Sequence, residues 1–452
     1  MKKYVLFLTI HFIVYTFYGM AQPAVGLAQS GTIQSGPMVG YSDYREALLW
    51  VQTKKPATVK FTFWEQGQPT QRRSTADVRT EAANAYTARA LASDLTPGKR
   101  YEYEVYVDGK KVVRTYPLQF QTQSLWQWRT DPPALRFVVG SCTYVNESEY
   151  DRPGTPYGSN YQIFNTIASQ KPDFMLWTGD NTYTREVDWN SRSGLLHRYT
   201  HTRSLPEMQA LLGSTHNYAT WDDHDYGPND ADRSYWLKRD ALQTFKMFWG
   251  NPNYVFENEG VTGTFQWADC QFFLMDDRWW RSPNDLKQAN REYLGPKQLD
   301  WLIDALAGSR ASFKFVVIGN QVVNPEALFE NYANYAGERA DLFRRITESN
   351  IPGVLFLSGD RHHSVLWKQD RPGTYPLYDL TISPLTSGAA KMQKTEEALL
   401  QFPETYVSEQ NFGLMEVTGP LSDRVLKITC INASGTTKWT REINASALRP
   451  GK

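Results

Sequence analysis

Asp173-Phe174-Met175-Leu176-Trp177-Thr178-Gly179-Asp180 is a short apolar run that stops on a glycine and a carboxylate. A run of this length, bounded by turn chemistry, reads as a buried strand. The same punctuation recurs along the chain. Residues 135–140 run into Ser141-Cys142, and 217–221 into Asp222-Asp223-His224-Asp225. Residues 264–275 run into Asp276-Asp277-Arg278, and 313–318 into Gly319-Asn320-Gln321. Residues 354–358 run into Gly359-Asp360-Arg361-His362-His363. Helical patterns fall between them, at 162–169, 205–212, 240–249 and 297–307. Alternating strands and helices predict layered α/β architecture. In open α/β sheets, ligands bind at the carboxyl ends of strands. If these runs lie side by side, Cys142, Asp180, Asp223, His224, Asp360 and His362 meet on one edge.

Towards the N-terminus the pattern changes. Alternating runs at 46–51, 58–65, 85–91, 101–107 and 112–120 are separated by turns such as Pro97-Gly98 and Asp108-Gly109. Short strands at that spacing predict an all-β, immunoglobulin or fibronectin III-like sandwich over residues 30–125. A linker ending in Pro132-Pro133 then leads to an α/β domain expected over residues 134–446. Beyond Tyr375 the chain reads mostly as strands, with one helix near 394–401. At the other end, Lys2 and Lys3, an apolar run over 5–18 and Gly19-Met20-Ala21 follow the order of a secretory signal. Residues 1–21 are therefore read as a signal peptide, and the mature chain as secreted or periplasmic. No later run has the ~20 apolar residues of a membrane span. Three cysteines are an odd number for an oxidising compartment. Cys270 and Cys430 sit in strand-like runs and could pair, leaving Cys142 over.

Lys plus Arg is 48 and Asp plus Glu is 48, so the formal net charge is zero. Such a chain has no long-range field to draw in nucleic acid or an anionic membrane. Sequence-specific nucleic-acid binding is not expected, and any phosphate must be gripped locally. Aromatic residues make up 14% of the chain, and most of that surface is expected to be packing.

The polar strand ends carry the chemistry. Asp180 could bridge two cations with its two oxygens, although taken alone an Asx-turn or helix cap is the commoner reason for an Asp there. Alternation places Asp360 and His362 on one side and Arg361 and His363 on the other. Asp222-Asp223-His224-Asp225 follows an apolar stretch directly, where uncompensated acids are costly to bury. His224, among those acids, is a candidate general acid for a leaving alkoxide. Asp276-Asp277-Arg278-Trp279-Trp280-Arg281 adds two guanidinium groups, which suit phosphate oxygens or structural carboxylates. Glu147, Glu149, Asp151 and Arg152 read as surface residues of the loop after the first α/β strand.

The order Gly-Ser-Cys, Gly-Asp-x-x-Tyr, Trp-Asp-Asp-His-Asp with a later Asn, Asp-x-Arg-x-x-Arg and Gly-Asp-x-His, from Gly140 to His362, resembles the PhoD-like alkaline phosphatase D family. The resemblance implies a two-sheet, calcineurin-like αββα sandwich and a metal-dependent phosphoric ester hydrolase. It implies a ferric ion on Cys142, Tyr183, Asp180 and His362, and calcium on Asp180, Asn229 and Asp360. Asp223 aligns with the Asn ligand of the wider calcineurin-like superfamily, so Asp223 and Asn229 both remain candidates for that place. His224, Asp223 and Arg278 are the expected catalytic residues, acting on a small-molecule or lipid phosphate mono- or diester. Two other readings stand beside this one: a glycan- or protein-binding surface module on a degenerate metal fold, and a thiol hydrolase built on Cys142.

Overall fold

The computed structural model describes residues 31–287 and 290–451; the expected signal segment, residues 1–21, lies outside them. Region 31–125 contributes β1 (Ile33–Ser42), β2 (Ala47–Thr53), β3 (Thr58–Glu65), β4 (Arg73–Ser74) and β5 (Val78–Arg79). It continues with β6 (Thr87–Ala92), β7 (Arg100–Val107), β8 (Lys110–Val112) and β9 (Gln119–Gln121). The run expected as one strand over 112–120 is thus two short strands, parted by a segment containing Pro117. Proline lacks the N–H that a continuous ladder needs.

The α/β region opens with β10 (Leu135–Gly140), α1 (Ile163–Ser169), β11 (Phe174–Thr178), α2 (Arg192–Arg203) and α3 (Gln209–Ser214). Next come β12 (His216–Thr220), α4 (Asp223–Tyr226), α5 (Lys238–Phe248), β13 (Gly263–Trp267) and β14 (Cys270–Leu274). Then follow α6 (Pro296–Gly308), β15 (Phe313–Val317), α7 (Ala336–Glu348), β16 (Val354–Ser358), β17 (Val365–Gln369) and β18 (Leu377–Thr381). The chain closes with α8 (Lys394–Glu397), β19 (Asn411–Thr418), β20 (Val425–Asn432) and β21 (Thr437–Asn444). The single strand expected over 264–275 is a hairpin, in which Trp267 pairs with Cys270 across Ala268-Asp269. Ala268 takes a left-handed conformation, φ 50°, where glycine or asparagine is the usual turn signal.

Two sheets face each other. One runs β21-β20-β19-β10-β11-β12-β1-β2-β6, the other β13-β14-β15-β16-β18-β17. Phe137 and Phe174 from the first stack at 4.9 Å, and Phe272 and Phe315 from the second stack at 4.9 Å. The pairs meet edge to face, with Phe137 and Phe272 at 5.2 Å. Each such contact adds ~0.5–1.5 kcal/mol to the burial of the rings. The outer face of the first sheet packs on α1, α2, α3 and α5 through Ile163, Leu195, Leu211 and Phe245. Leu302 of α6 and Leu342 and Ile346 of α7 pack with the second. This is a mixed α/β sandwich with helices outside both sheets.

The nine-stranded sheet does not stop at the α/β region. β1 pairs in parallel with β12, at Val39 and His216, and carries β2 and β6 with it. Side chains of β1 and β2 alternate between two cores. Met38 and Trp50 join the helix layer beneath β11, whereas Val39, Leu49 and Val51 join Phe61, Tyr103 and Phe120 of the N-terminal sandwich. β2 is consequently buried at every position. Gly40 is required at this seam, because a Cβ there would lie 2.9 Å from the Gly250 carbonyl oxygen. Tyr41 N–H donates to that same oxygen at 2.8 Å, so the two backbones cannot part freely. Gly40→Val is expected to cost roughly 1–3 kcal/mol, as overpacked sites do, measured as a lower urea midpoint at unchanged slope.

Candidate metal centre

Parallel pairing brings the carboxyl ends of β10, β11 and β12, and of β15 and β16, to one side of the molecule. The glycines that end these strands permit close approach. A Cβ at Gly179, φ 99°, would lie 2.7 Å from Asp222 Cβ, and one at Gly359 would lie 2.4 Å from Ser141 Oγ. Cys142, Asp180, Asp360 and His362 have φ of 61°, 50°, 63° and 54°. Non-glycine residues rarely adopt such left-handed values, and they gather where surrounding structure holds a site in place.

Asp180 lies at the middle. Its carboxylate falls within 4.8 Å of donor atoms in three groups: with Cys142 and His362, with Asp223 and His224, and with Asp222 and Asp360. A further group joins Asp222, Asp223 and Glu330. Tyr183 donates to Asp180 Oδ2 at 2.9 Å and lies 3.0 Å from His362 Nε2. His362 Nδ1 donates to the Gly388 carbonyl at 2.8 Å, which leaves Nε2 as the lone-pair nitrogen facing the acids. Tyr157 reaches the same ring from the loop after β10, at 2.8 Å from Nδ1. Asp360 and His362 face the centre, while Arg361 turns away to pair with Glu396 at 2.7 Å. Asn229 is exposed and lines the cleft beside His224 and Tyr183.

Cys142 is fully buried, with its sulfur accepting from Ser383 Oγ at 3.1 Å. Burial pushes its thiol pKa up. That is the opposite of an activated thiol nucleophile, which needs a lowered pKa and access.

Asp223 and His224 lie in the single helical turn of α4 rather than in an open loop. Asp222 caps that turn, accepting from Asp223 N–H at 2.9 Å, while Asp225 accepts from Asp222 N–H at 3.1 Å. This capping box aims Asp222 and Asp223 at the other strand ends. Burial tends to raise the Asp223 carboxyl, but His224 and Arg278 together hold it below the usual carboxylate range. Burial pushes the His224 pKa down, with Asp223 pulling against it. His224 Nδ1 is buried without a hydrogen-bond partner among the described residues.

Arg278 sits beneath the acids, fully buried. It donates to Asp222 through Nε at 2.7 Å and again through Nη2, and to Glu330 at 2.8 and 2.9 Å. Arg281 pairs with Glu330 at 2.8 Å. These donors hold carboxylates in place and do not line the cleft. Glu330 was not legible as a site residue: it follows no apolar strand, and its partner Arg278 is 52 residues away. Tyr157 stands in the Gly-Pro-rich stretch Gly154-Thr155-Pro156-Tyr157-Gly158, which reads only as a loop. In the same loop Glu149 and Arg152 are exposed as expected, but Asp151 departs from the surface expected of it. Asp151 is largely buried, pairing with Arg185 at 2.7 Å and accepting from Tyr144 at 2.8 Å.

A family model described as PhoD-like phosphatase matches residues 137–420. The chain belongs to this family. The solved structure of PhoD is 16% identical to this PhoD-like phosphatase and covers 92% of this chain and 93% of its own, with a TM-score of 0.74. The fold is therefore shared. Residues 30–125 match a domain of unknown function (DUF7800). Weaker likenesses include a fibronectin type III domain of the human KIAA0970 protein, 14% identical over 21% of this chain and 74% of that one, with a TM-score of 0.16. Another is a single mutant of Vps29 from Entamoeba histolytica, 8% identical over 69% and 99%, with a TM-score of 0.26. Both scores are too low to bear on the fold. No curated protein matches the chain.

The phosphatase family implies metal dependence, and the residues fit it. Burial, then repulsion from Asp223, Cys142, Asp222 and Asp360, drives the Asp180 carboxyl well above its ordinary range. Asp360 is driven the same way by burial and by Glu330. A cation among these groups would remove that repulsion. Among the described residues, no helix is long and apolar enough to cross a membrane. All three cysteines, Cys142, Cys270 and Cys430, are buried and unbridged. Replacing Arg278 by Met strips Asp222 of its counter-charge and leaves Glu330 with Arg281 alone; a loss of about 3–5 kcal/mol is expected, as for a halved buried ion pair, read from equilibrium unfolding in urea.

Proposed function

We propose that this PhoD-like phosphatase is an exported hydrolase of phosphate mono- or diesters, small-molecule or lipid, that uses iron and calcium. Residues 1–21, with the charge and cleavage order of a signal peptide, support the export. Cys142, Tyr183, Asp180 and His362 would hold a ferric ion; Asp180, Asp360 and either Asp223 or Asn229 would hold calcium. Ligand chemistry supports that division, since thiolate, phenolate and imidazole suit iron and an all-oxygen set suits calcium. Cations held there would neutralise phosphate oxygens and bring the pKa of water close to neutrality. The observation that carries the reading is the sharing of Asp180 by three donor groups.

The protein's own residues do the rest. Asp222 and Glu330, clamped by Arg278, fix the floor of the site before substrate arrives. Gly388 orients the His362 ring, and Tyr183 closes over Asp180. His224, open to the cleft, delivers a proton to the leaving oxygen as its bond to phosphorus breaks. Arg278 acts as a support for the acids, because its donors are already engaged.

Elemental analysis of the purified protein is expected to find iron and calcium. Asp180→Asn is expected to lower hydrolysis of nitrophenyl mono- and diesters by about a thousandfold, equivalent to ~4 kcal/mol, with an unchanged circular dichroism spectrum. Activity that survives both this substitution and a chelator would sink the reading. His224→Asn is expected to slow alkyl esters by about a hundredfold or more, and nitrophenyl esters, whose leaving group needs no proton, far less.

A further inference from the structure

A cleft of about 350 Å³ opens beside the metal centre, and its wall is aromatic. Tyr144, Tyr157, Tyr183 and Trp189 line it, with His224 at the same surface. The three tyrosines brace one another, with ring centroids 4.9 Å apart for Tyr144 and Tyr157 and 5.1 Å for Tyr144 and Tyr183. The His224 ring lies 4.2 Å from that of Tyr183. Arg185 locks the wall from behind: its guanidinium lies 4.0 Å from the Tyr144 ring, pairs with Asp151, and donates to the Val145 carbonyl at 2.8 Å. A wall this well tied holds its shape on binding, and Tyr157 and Trp189 are its more exposed rings.

The charge of the cleft decides between classes of leaving group. Arg185 is paired with Asp151, and the other two charged side chains lining the cleft, Arg152 and Glu186, carry opposite signs. The formal charges of these four side chains cancel, so the cleft carries no positive excess for a second phosphate or a carboxylate. The volume sits at the low end of small-molecule sites, about 300–1,000 Å³, enough for one ring system and a short link. Building on the phosphoesterase reading, we propose that the leaving group of the substrate is a neutral alcohol bearing a planar ring, of nucleoside size, stacked on this wall next to His224. In the reaction the oxygen of water bonds to phosphorus, the bond from phosphorus to the alcohol oxygen breaks, and the alcohol departs with a proton.

The test compares adenosine 5′-monophosphate with glycerol 3-phosphate on the metal-loaded protein. Both are esters of primary alcohols, so the intrinsic ease of departure is matched. The ring-bearing substrate is expected to be favoured at least about tenfold in kcat/KM, as base–aromatic stacking allows. Trp189→Ala is expected to bring the ratio towards one through a raised KM for the nucleotide, and Trp189→Phe, which keeps a ring face, to retain most of the preference. A wild-type ratio near one, or a ratio untouched in Trp189→Ala, overturns the ring-binding wall while metal-dependent hydrolysis of both esters leaves the phosphoesterase reading standing. Absence of metal-dependent hydrolysis of these and of nitrophenyl esters overturns both.

Discussion

Burying several carboxylates at one edge of a sandwich is unfavourable unless positive charge comes with them, and much of this structure follows from that constraint. Asp180, Asp222, Asp223 and Asp360 converge because parallel strands deliver their carboxyl ends to the same side, and Glu330 joins them from a loop. From below, Arg278 and Arg281 offset part of the charge. On the other side of the acids the thiol of Cys142, the phenol of Tyr183 and Nε2 of His362 stand ready as further donors. Left-handed backbone at Cys142, Asp180, Asp360 and His362 is tolerated because the closely packed strand ends around them hold each residue in place.

The aromatic content has two distinct uses. Between the sheets, Phe137, Phe174, Phe272 and Phe315 interlock and set the spacing of the layers. Around the cleft, Tyr144, Tyr157 and Tyr183 show ring faces or edges to the space beside the acids, and their hydroxyls reach inwards to Asp151, His362 and Asp180. Composition could not separate these uses.

The α/β architecture was legible because each apolar run ends on small and polar residues, a pattern that depends only on neighbours in the chain. Leu135–Gly140 and Val354–Ser358 fall where that pattern puts them, and Cys142, Asp180, Asp360 and His362 follow from it. Features set by distant partners were not legible. Glu330 owes its place to Arg278, and Asp151 owes its burial to Arg185. The hairpin turn at Ala268-Asp269 lacks glycine, and α2 and α7 carry patterns that were not read as helices. A hydrophobic run announces a strand, but nothing in it names the strand it will pair with, so the joining of β1 to β12 had no local signature.

That seam has a mechanical consequence. A sheet unbroken from β6 to β21 offers no hinge between the N-terminal strands and the acids, and Gly40 and Gly250 press the two parts together without a spacer. Whatever rests against the outer strands is held at a set distance and angle from the catalytic edge, as on a bracket, and is not free to swing on a tether.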